Sequence, residues 1–216
     1  DKDKILEGAR VEVNPEKRNP ADFALWKFSP SGVKRDMEWL SPWGMGFPGW
    51  HIECSAMSMK HLGEQFEIHL GGDDLKFIHH NNEIAQSEAA SGKVPFVKYW
   101  MHCQFLMVDG EKMSKSKGNF YNLDDIVIKG FDPLALRYLF YTTHYRSFLN
   151  FTWEGLKAAQ IGLNNLRTLV TSDRRQDTRQ SLSEEKLAKI HEYSIRFKQA
   201  IENDLNLPEA MAIVWK

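Results

Sequence analysis

Between residues 51 and 92 the hydrophobic positions switch from a helical period to a strand period and back. Segment 51–63, HIECSAMSMKHLG, has apolar residues at helical spacing and ends in a glycine, which predicts a helix. Segment 66–72, FEIHLGG, alternates polar and apolar residues before two glycines, as a strand does. A second helix is predicted to begin at Asp73 or Asp74 and to end at Gly92.

The next apolar stretch predicts a β-hairpin. In CQFLMVDGEK, residues 103–112, an apolar run is followed by Asp109-Gly110, a dipeptide typical of a tight hairpin turn. Helices and strands therefore alternate along this part of the chain, and such alternation favours an α/β sheet. In such folds ligands bind at the carboxyl ends of the strands, so we expect a site where the glycine-rich turns lie.

Helices are predicted for most of the chain beyond residue 131. FDPLALRYLFYTTH predicts a helix with Asp132 as its cap and Pro133 at its first position. WEGLKAAQIGLNNLRTLV and EEKLAKIHEYSIRFKQAI both have one apolar face, and Ser183 is the expected cap of the second. The polar, basic stretch between them, TSDRRQDTRQSLS, predicts a linker. The change of pattern after Asn150 predicts a domain boundary followed by a helical bundle.

The first 50 residues give weaker signals. GARVEVN predicts a short strand, and Pro20 fits the first turn of a small helix over ADFALWKF. Proline and Trp-Gly breaks recur from Ser31 to Trp50, which predicts an ordered loop. The chain starts at Asp1 without a methionine and stops at Lys216 inside a predicted helix, so we expect a fragment of a longer protein.

Composition narrows the class of protein. The 216 residues are 42% apolar and 12% aromatic, which is ordinary for a globular protein and unlike a disordered one. The formal net charge of −1 neither supports nor excludes RNA binding. No apolar run approaches the ~20 residues that span a bilayer, so we expect no membrane contact. The two cysteines, Cys54 and Cys103, favour thiols in a reducing compartment over a disulfide framework, and we expect a cytoplasmic location.

The segment EKMSKSKGNF, residues 111–120, concentrates mobile positive charge. Lys112 and Lys115 offer flexible ammonium groups, Ser114 and Ser116 offer hydroxyls, and Gly118 keeps the backbone accessible. These groups are suited to gripping a polyphosphate and to stabilising the charge of a leaving pyrophosphate. The alternative interpretation is a solvated basic turn without a ligand.

A second group of residues has metal-binding chemistry. Cys54, His79 and Glu83 offer a thiolate, an imidazole and a carboxylate, which are the ligand types of zinc in proteins. A histidine and a glutamate four residues apart share one helix face. His80, three residues before Glu83, is an alternative ligand that spacing does not exclude. Cys103 is expected at the start of a strand and in the core, and the alternative for Cys54 and the histidines is a structural role.

Longer segments resemble a known family. KMSKS followed by Gly-Asn resembles the second signature of class I aminoacyl-tRNA synthetases. SPWGMGFPGWHIECSAM, HLGGDDLKFIHHNNEIAQSE, WMHCQFLMVDGEKMSKSKGNF and HYRSFLNFTWEGL resemble, in this order, the cysteinyl-tRNA synthetases, and the resemblance covers nearly the whole chain. It implies the second half of a class I Rossmann-type catalytic domain followed by an α-helical bundle. We call residues 111–120 the KMSKS loop.

The resemblance implies four segments. Residues 1–30 would end a connective insertion, and residues 31–130 would form the C-terminal half of the catalytic domain with the KMSKS loop. Residues 131–150 would form a connecting helical segment, and residues 151–216 would begin the helical domain that supports tRNA. The family's HIGH signature does not occur in the chain, so we expect it to be inactive alone.

The resemblance also implies site residues. Cys54, His79 and Glu83 would bind one zinc ion per chain that selects the substrate thiol, with the fourth ligand, a cysteine, outside this fragment. Lys112 and Lys115 would be catalytic. The residues expected to bind ATP or the adenylate are Lys112, Ser114, Lys115, His69, Gly71, Gly72 and Asp74. Trp50 would line the cysteine pocket, with core packing as the alternative, and a helix N-cap is the alternative for Asp74.

The implied reaction joins cysteine to tRNA(Cys). ATP, with Mg²⁺, would activate cysteine to cysteinyl-adenylate, and the cysteinyl group would then pass to the terminal ribose. We expect a monomer, and expect Arg146, Arg167, Arg174 and Arg175 to contact tRNA phosphates or to be solvated surface. Two alternatives stay open: a cysteine ligase of mycothiol synthesis, with a sugar amine as acceptor, and a non-catalytic remnant that binds zinc or RNA.

Overall fold

The computed structural model describes residues 17–30, 32, 34–175 and 182–216, without the side chains of 173–175. The chain folds into two compact units, and the boundary between them in the sequence lies between Met101 and His102. The strand predicted over GARVEVN lies outside the described residues.

The first unit opens with a small antiparallel sheet. Strand β3 (Gly44–Pro48) lies between β1 (Trp26–Phe28) and β2 (Trp39–Ser41). The helix predicted over ADFALWKF is therefore wrong, and so is the loop predicted for 31–50, because both segments contribute strands. The reason is long-range pairing: Trp26 lies opposite Pro48 and Trp39 opposite Gly46 in the sheet register. Propensity of a short segment does not detect such partners.

Two helices and two further strands complete this unit. Helix α1 (Trp50–Leu62) ends at Gly63, whose φ is 95°. Strands β4 (Phe66–Gly72) and β5 (Val97–Cys103) pair, and helix α2 (His79–Ser91) ends at a left-handed Gly92. The helix that ends at Gly63 and the strand over FEIHLGG are thus as predicted. Cys103 ends a strand, so its predicted position at a strand start is wrong.

The predicted start of the second helix, at Asp73 or Asp74, is also wrong. A 3-10 turn spans Asp73–Leu75, and α2 begins at His79. The carbonyls of Lys76 and Phe77, which lie between the 3-10 turn and α2, accept hydrogen bonds from the Asn81 side chain, each at 3.0 Å. These bonds take up carbonyls that a continuous α-helix would pair along the backbone, so the helix starts later.

The second unit begins with the predicted hairpin. Strands β6 (Leu106–Val108) and β7 (Glu111–Lys112) turn on Asp109 and Gly110, whose φ values are 50° and 80°. Positive φ at both positions is what the favoured two-residue hairpin turn requires. Strand β8 (Leu149–Phe151) pairs in parallel with β6.

Helices make up the rest of this unit. They are α3 (Leu123–Ile128), α4 (Pro133–Phe140), α5 (Trp153–Arg175), α6 (Glu184–Glu202) and α7 (Leu207–Val214). The predicted caps are confirmed: Asp132 accepts from the Leu134 N–H and Ser183 from the Lys186 N–H. The predicted linker is shorter than expected, because residues 171–175 belong to α5; residues 176–181 lie outside the described part.

One hydrophobic core joins the hairpin sheet to helices α3, α4 and α5. Its buried residues are Val108, Ile126, Ala135, Leu139, Phe151, Leu156 and Ala159. This core continues past residue 150, from β8 into α5. The boundaries at residues 30, 130 and 150 between the four segments that the resemblance implies stay a prediction. Within the described part of the chain, no helix is both long enough and apolar enough to cross a membrane.

Candidate metal centre

A buried carboxylate lies at the centre of the first unit. Glu83, in the second turn of α2, is 0% exposed. His79 Nε2 lies 2.7 Å from its Oε1, and His69 Nε2 lies 3.1 Å from its Oε2. The two imidazole nitrogens are therefore in close contact with the carboxylate. Neither Glu83 oxygen, however, receives a hydrogen bond of acceptable geometry from the described residues. A buried carboxylate without a donor is costly unless a cation binds it.

Cys54 supplies sulfur beside this carboxylate. It lies on α1, and its Sγ lies within 4.8 Å of ligand atoms of both His79 and Glu83. Burial raises the pKa of the Cys54 thiol, and the negative charges of Glu83 and Glu53 raise it further. Without a metal the thiol is therefore the stable form, whereas a bound metal ion would favour the thiolate.

His79 is held from its other side. Its Nδ1 lies 2.8 Å from Nδ1 of His51, and the Trp50 ring lies 4.3 Å from the His79 ring between centroids. Burial lowers the pKa of His79, although the Glu83 charge opposes this shift. The His51 pKa is also lowered, first by burial and then by His79. Both shifts favour neutral imidazole, which is the form that binds metals.

The alternative ligand left open by spacing is also near Glu83. His69, His80 and Glu83 form a second group whose ligand atoms lie within 4.8 Å of one another. The two groups share Glu83, and only the first contains sulfur. The i,i+4 pair found by spacing is thus brought together with Cys54. His51 and the contact of His69 with Glu83 were missed, because both come from other elements without a regular spacing.

The residues expected at the adenylate have structural roles of their own. A Cβ added to Gly71 would lie 2.5 Å from Cε1 of His80, and one added to Gly72 would lie 2.6 Å from Oδ1 of Asp74. Both glycines thus allow close packing inside the protein. Asp74 lies within the 3-10 turn that Gly72 precedes, and α2 is preceded by Ile78, so the N-cap alternative for Asp74 is wrong. Trp50 is 57% exposed, so the alternative that it packs in the core is wrong.

The KMSKS loop lies in the second unit and is shaped by one asparagine. Asn119 accepts a hydrogen bond from the Ser114 N–H at 2.8 Å and donates to the Lys112 carbonyl at 3.2 Å. The hydroxyls of Ser114 and Ser116 lie 2.7 Å apart. Residues Lys115–Lys117 form a single 3-10 turn.

The lysines of this loop differ in their partners. Lys117 pairs with Glu111 at 2.9 Å. Lys112 and Lys115 instead lie over the rings of Phe105 and Phe120, at 5.0 and 5.3 Å, and no carboxylate of the described residues forms an ion pair with either. Their charges are therefore available to an anionic ligand.

The arginines expected to contact phosphate are occupied where the structure describes them. Arg146 Nε lies 2.6 Å from Asp204 Oδ2, and Arg167 Nη1 lies 2.6 Å from Asp132 Oδ2. The side chains of Arg174 and Arg175 lie outside the described part. A phosphate contact by Arg146 or Arg167 would have to compete with these carboxylates.

Two curated proteins are similar in sequence to nearly the whole of this chain. Cysteine–tRNA ligase 1 of Burkholderia lata is 51% identical over 212 residues, covering 96% of this chain and 42% of the relative. Cysteine–tRNA ligase of Brachyspira hyodysenteriae is 48% identical over 220 residues, covering 100% and 46%. The chain thus spans less than half the length of these relatives.

A solved structure shows the same fold at low identity. It is the ternary complex of Agrobacterium radiobacter K84 agnB2 LeuRS-tRNA-LeuAMS, with a TM-score of 0.59 and 15% identity over 83% of this chain and 28% of that one. The predicted α/β synthetase fold is confirmed. A family model described as the tRNA synthetases class I (C) catalytic domain matches residues 1–161. Because this match covers most of the chain, the chain belongs to the family of class I (C) tRNA synthetase catalytic domains.

Proposed function

We propose that the chain is part of a cysteine–tRNA ligase, which uses ATP to activate cysteine and transfers it to tRNA(Cys). The observation that carries this proposal is the buried Glu83 carboxylate, which receives no hydrogen bond of acceptable geometry from the described residues and lies beside Cys54 and His79. Relatives named cysteine–tRNA ligase match 96–100% of the chain, which supports tRNA as the acceptor over a sugar amine.

The three donors fit zinc. Sulfur, nitrogen and oxygen ligands in one set are typical of zinc sites, and catalytic sites leave a further position for substrate or solvent. Cys54, His79 and Glu83 would hold the ion, and Glu83 would gain the cation that its buried oxygens lack. When bound, zinc supplies a thiophilic Lewis acid, which favours a thiol over the hydroxyl of serine.

The chain's own residues give this centre its surroundings. The Trp50 ring, beside His79 and half exposed, would form a wall for the amino acid side chain. His51 orients the His79 ring through the nitrogen that does not face Glu83. Asp74 follows the two glycines that end β4, and its carboxylate would accept a hydrogen bond from the amino group or a ribose hydroxyl of the adenylate. His69 would orient the Glu83 carboxylate.

The KMSKS loop would bind ATP, with Mg²⁺ on its phosphates. Lys112 and Lys115 have no described carboxylate partner, so their ammonium groups can bind phosphate oxygens and stabilise the pyrophosphate that leaves. The Asn119 hydrogen bonds hold the backbone of Ser114 and Lys112 in place. Helices α5 to α7 would support the tRNA. We also propose a monomer in the cytoplasm, where the thiols of Cys54 and Cys103 would stay reduced.

Cobalt(II) substitution tests this function in the 216-residue chain. We expect one metal ion per chain and a sulfur-to-cobalt charge-transfer band, which Cys54→Ser removes and Cys103→Ser leaves in place. Free cysteine should intensify this band because a second thiolate binds, whereas serine should not change it. An unchanged spectrum with cysteine, or no metal bound at all, would contradict the proposal.

A further inference from the structure

A polar clamp joins α1 to α2 next to the metal ligands. Gln86 lies one helical turn after Glu83. Its Nε2 donates to the carbonyl oxygen of His51 at 2.5 Å and to the Oγ of Ser55 at 2.6 Å. The two acceptors lie four residues apart on α1, so one amide binds across a full turn of that helix.

A second hydroxyl completes the clamp. Ser87 donates to the Oγ of Ser55 at 2.8 Å, and these two serines are 1% and 3% exposed. The Ser55 oxygen therefore accepts from both residues of α2 with its two lone pairs. Hydrogen bonds inside a protein are directional and well shielded from water, so this clamp defines the position of α1 against α2 more narrowly than apolar packing would.

The clamp surrounds the metal ligand of α1. Cys54 lies between His51 and Ser55, in the turn that the Gln86 amide spans. The same turn also reaches His79, because the His51 ring lies 2.8 Å from His79 Nδ1. A shift of α1 would thus move the sulfur away from Glu83 and turn the His79 ring at the same time.

Gln86 is not explained by helix packing alone. Its Oε1 is buried and receives no hydrogen bond from the described residues. A buried unsatisfied carbonyl lowers stability, and an apolar side chain of similar size would avoid that cost but lose the two hydrogen bonds to α1. These hydrogen bonds, rather than packing, therefore account for a glutamine at this position.

We propose that Gln86 is a positioning residue that sets the separation of Cys54 on α1 from His79 and Glu83 on α2. Its amide acts through the backbone of His51 and the hydroxyl of Ser55 and does not touch the metal. The inference rests on the proposed function, since it concerns the metal assigned there.

The test compares two glutamine variants of the 216-residue chain. Gln86→Met keeps the side-chain length and removes both hydrogen bonds, and we expect zinc affinity, measured by chelator competition, to fall about tenfold. The sulfur-to-cobalt band should weaken or shift, while the helical circular dichroism stays the same. Gln65→Met is the matched control: its amide donates to the Pro95 carbonyl at 2.9 Å, away from the metal ligands, and it should keep the wild-type spectrum and affinity.

The outcomes separate this inference from the proposed function. Wild-type metal affinity and an unaltered cobalt spectrum in Gln86→Met would overturn the positioning role while the metal centre stands. A wild-type chain that binds no cobalt overturns the metal centre itself. If Gln86→Met does not fold, Ser87→Ala decides, because it removes only one hydroxyl of the clamp. A smaller loss of affinity in the same direction supports the inference, and an unchanged affinity contradicts it.

Discussion

The proposed metal centre and the KMSKS loop use charge in opposite ways. In the first unit Glu83 is fully buried, among imidazoles and a thiol. In the second unit Lys112 and Lys115 are exposed and lie over aromatic rings. Burial makes an unpaired charge costly, so the carboxylate is suited to one cation held in one place. Exposure costs little, so the lysines can remain unpaired and mobile until an anion arrives.

The two regions also differ in what shapes them. Helices α1 and α2 present the proposed metal ligands, and a side-chain clamp holds the helices together. The KMSKS loop is held by the Asn119 side chain on its own backbone. We therefore expect substitutions in the proposed centre to change metal affinity but not nucleotide affinity. Substitutions in the loop should change nucleotide affinity but not metal affinity.

The largest effect should follow loss of the buried carboxylate. Glu83→Gln should lower zinc affinity by more than about 100-fold, beyond the usual loss from residues that only orient a ligand. Because the substitution removes a buried charge that no hydrogen bond of acceptable geometry compensates, the free energy of unfolding of the metal-free chain should not fall. Chelator competition and urea unfolding measure both quantities. Glu154→Gln, exposed on α5 in the second unit, is the control; equal zinc affinity in the two variants would contradict the assignment.

A smaller effect is expected from the unpaired lysines. Lys115→Ala should weaken ATP binding by about tenfold or more, because a charge-assisted bond to phosphate is lost. Titration with a fluorescent ATP analogue measures this change. Lys117→Ala is the matched control, since Glu111 already pairs with that ammonium group. If the control weakens binding as much as Lys115→Ala, the contrast between paired and unpaired lysines is wrong.

Removing the support of the loop should have a further, smaller effect. Asn119→Ala deletes the bonds to Ser114 and Lys112, so unfolding should become easier by about 1 kcal/mol and ATP should bind more weakly than to the wild type but better than to Lys115→Ala. Zinc affinity should not change. A change in zinc affinity in this variant would break the separation of the two regions.

The smallest effect concerns an exposed ion pair and depends on pH. The Arg146 hydrogen bond, followed by that of Tyr145, lowers the pKa of Asp204 below its ordinary value of 3.8. A lowered folded pKa stabilises the protein above the ordinary value, and this stability is lost as the pH falls through the folded pKa. Asp204→Asn should therefore lower the Tm slightly at pH 7, and this difference should shrink as the pH falls below the ordinary pKa. A Tm difference that grows on acidification would refute this interpretation.

Local signals in the sequence were sufficient for several elements. Gly63 and Gly92 end their helices, Asp109-Gly110 forms the hairpin turn, and Asp132 and Ser183 cap theirs. Each of these features depends on residues a few positions apart. The strands of segment 26–48 and the late start of α2 were not predicted, because the first depend on pairing across the sheet and the second on the Asn81 side chain.

The sequence by itself determined which donor types are present and that His79 and Glu83 share a helix face, because helical spacing is a local property. Only the tertiary structure decided that Cys54, 25 residues earlier, joins them, and that His51 and Gln86 hold them from α1 and α2. The physical reason is that contact between two helices depends on packing and on hydrogen bonds between distant residues. The complete burial of Glu83, on which the proposed metal site rests, is likewise a property of the folded chain alone.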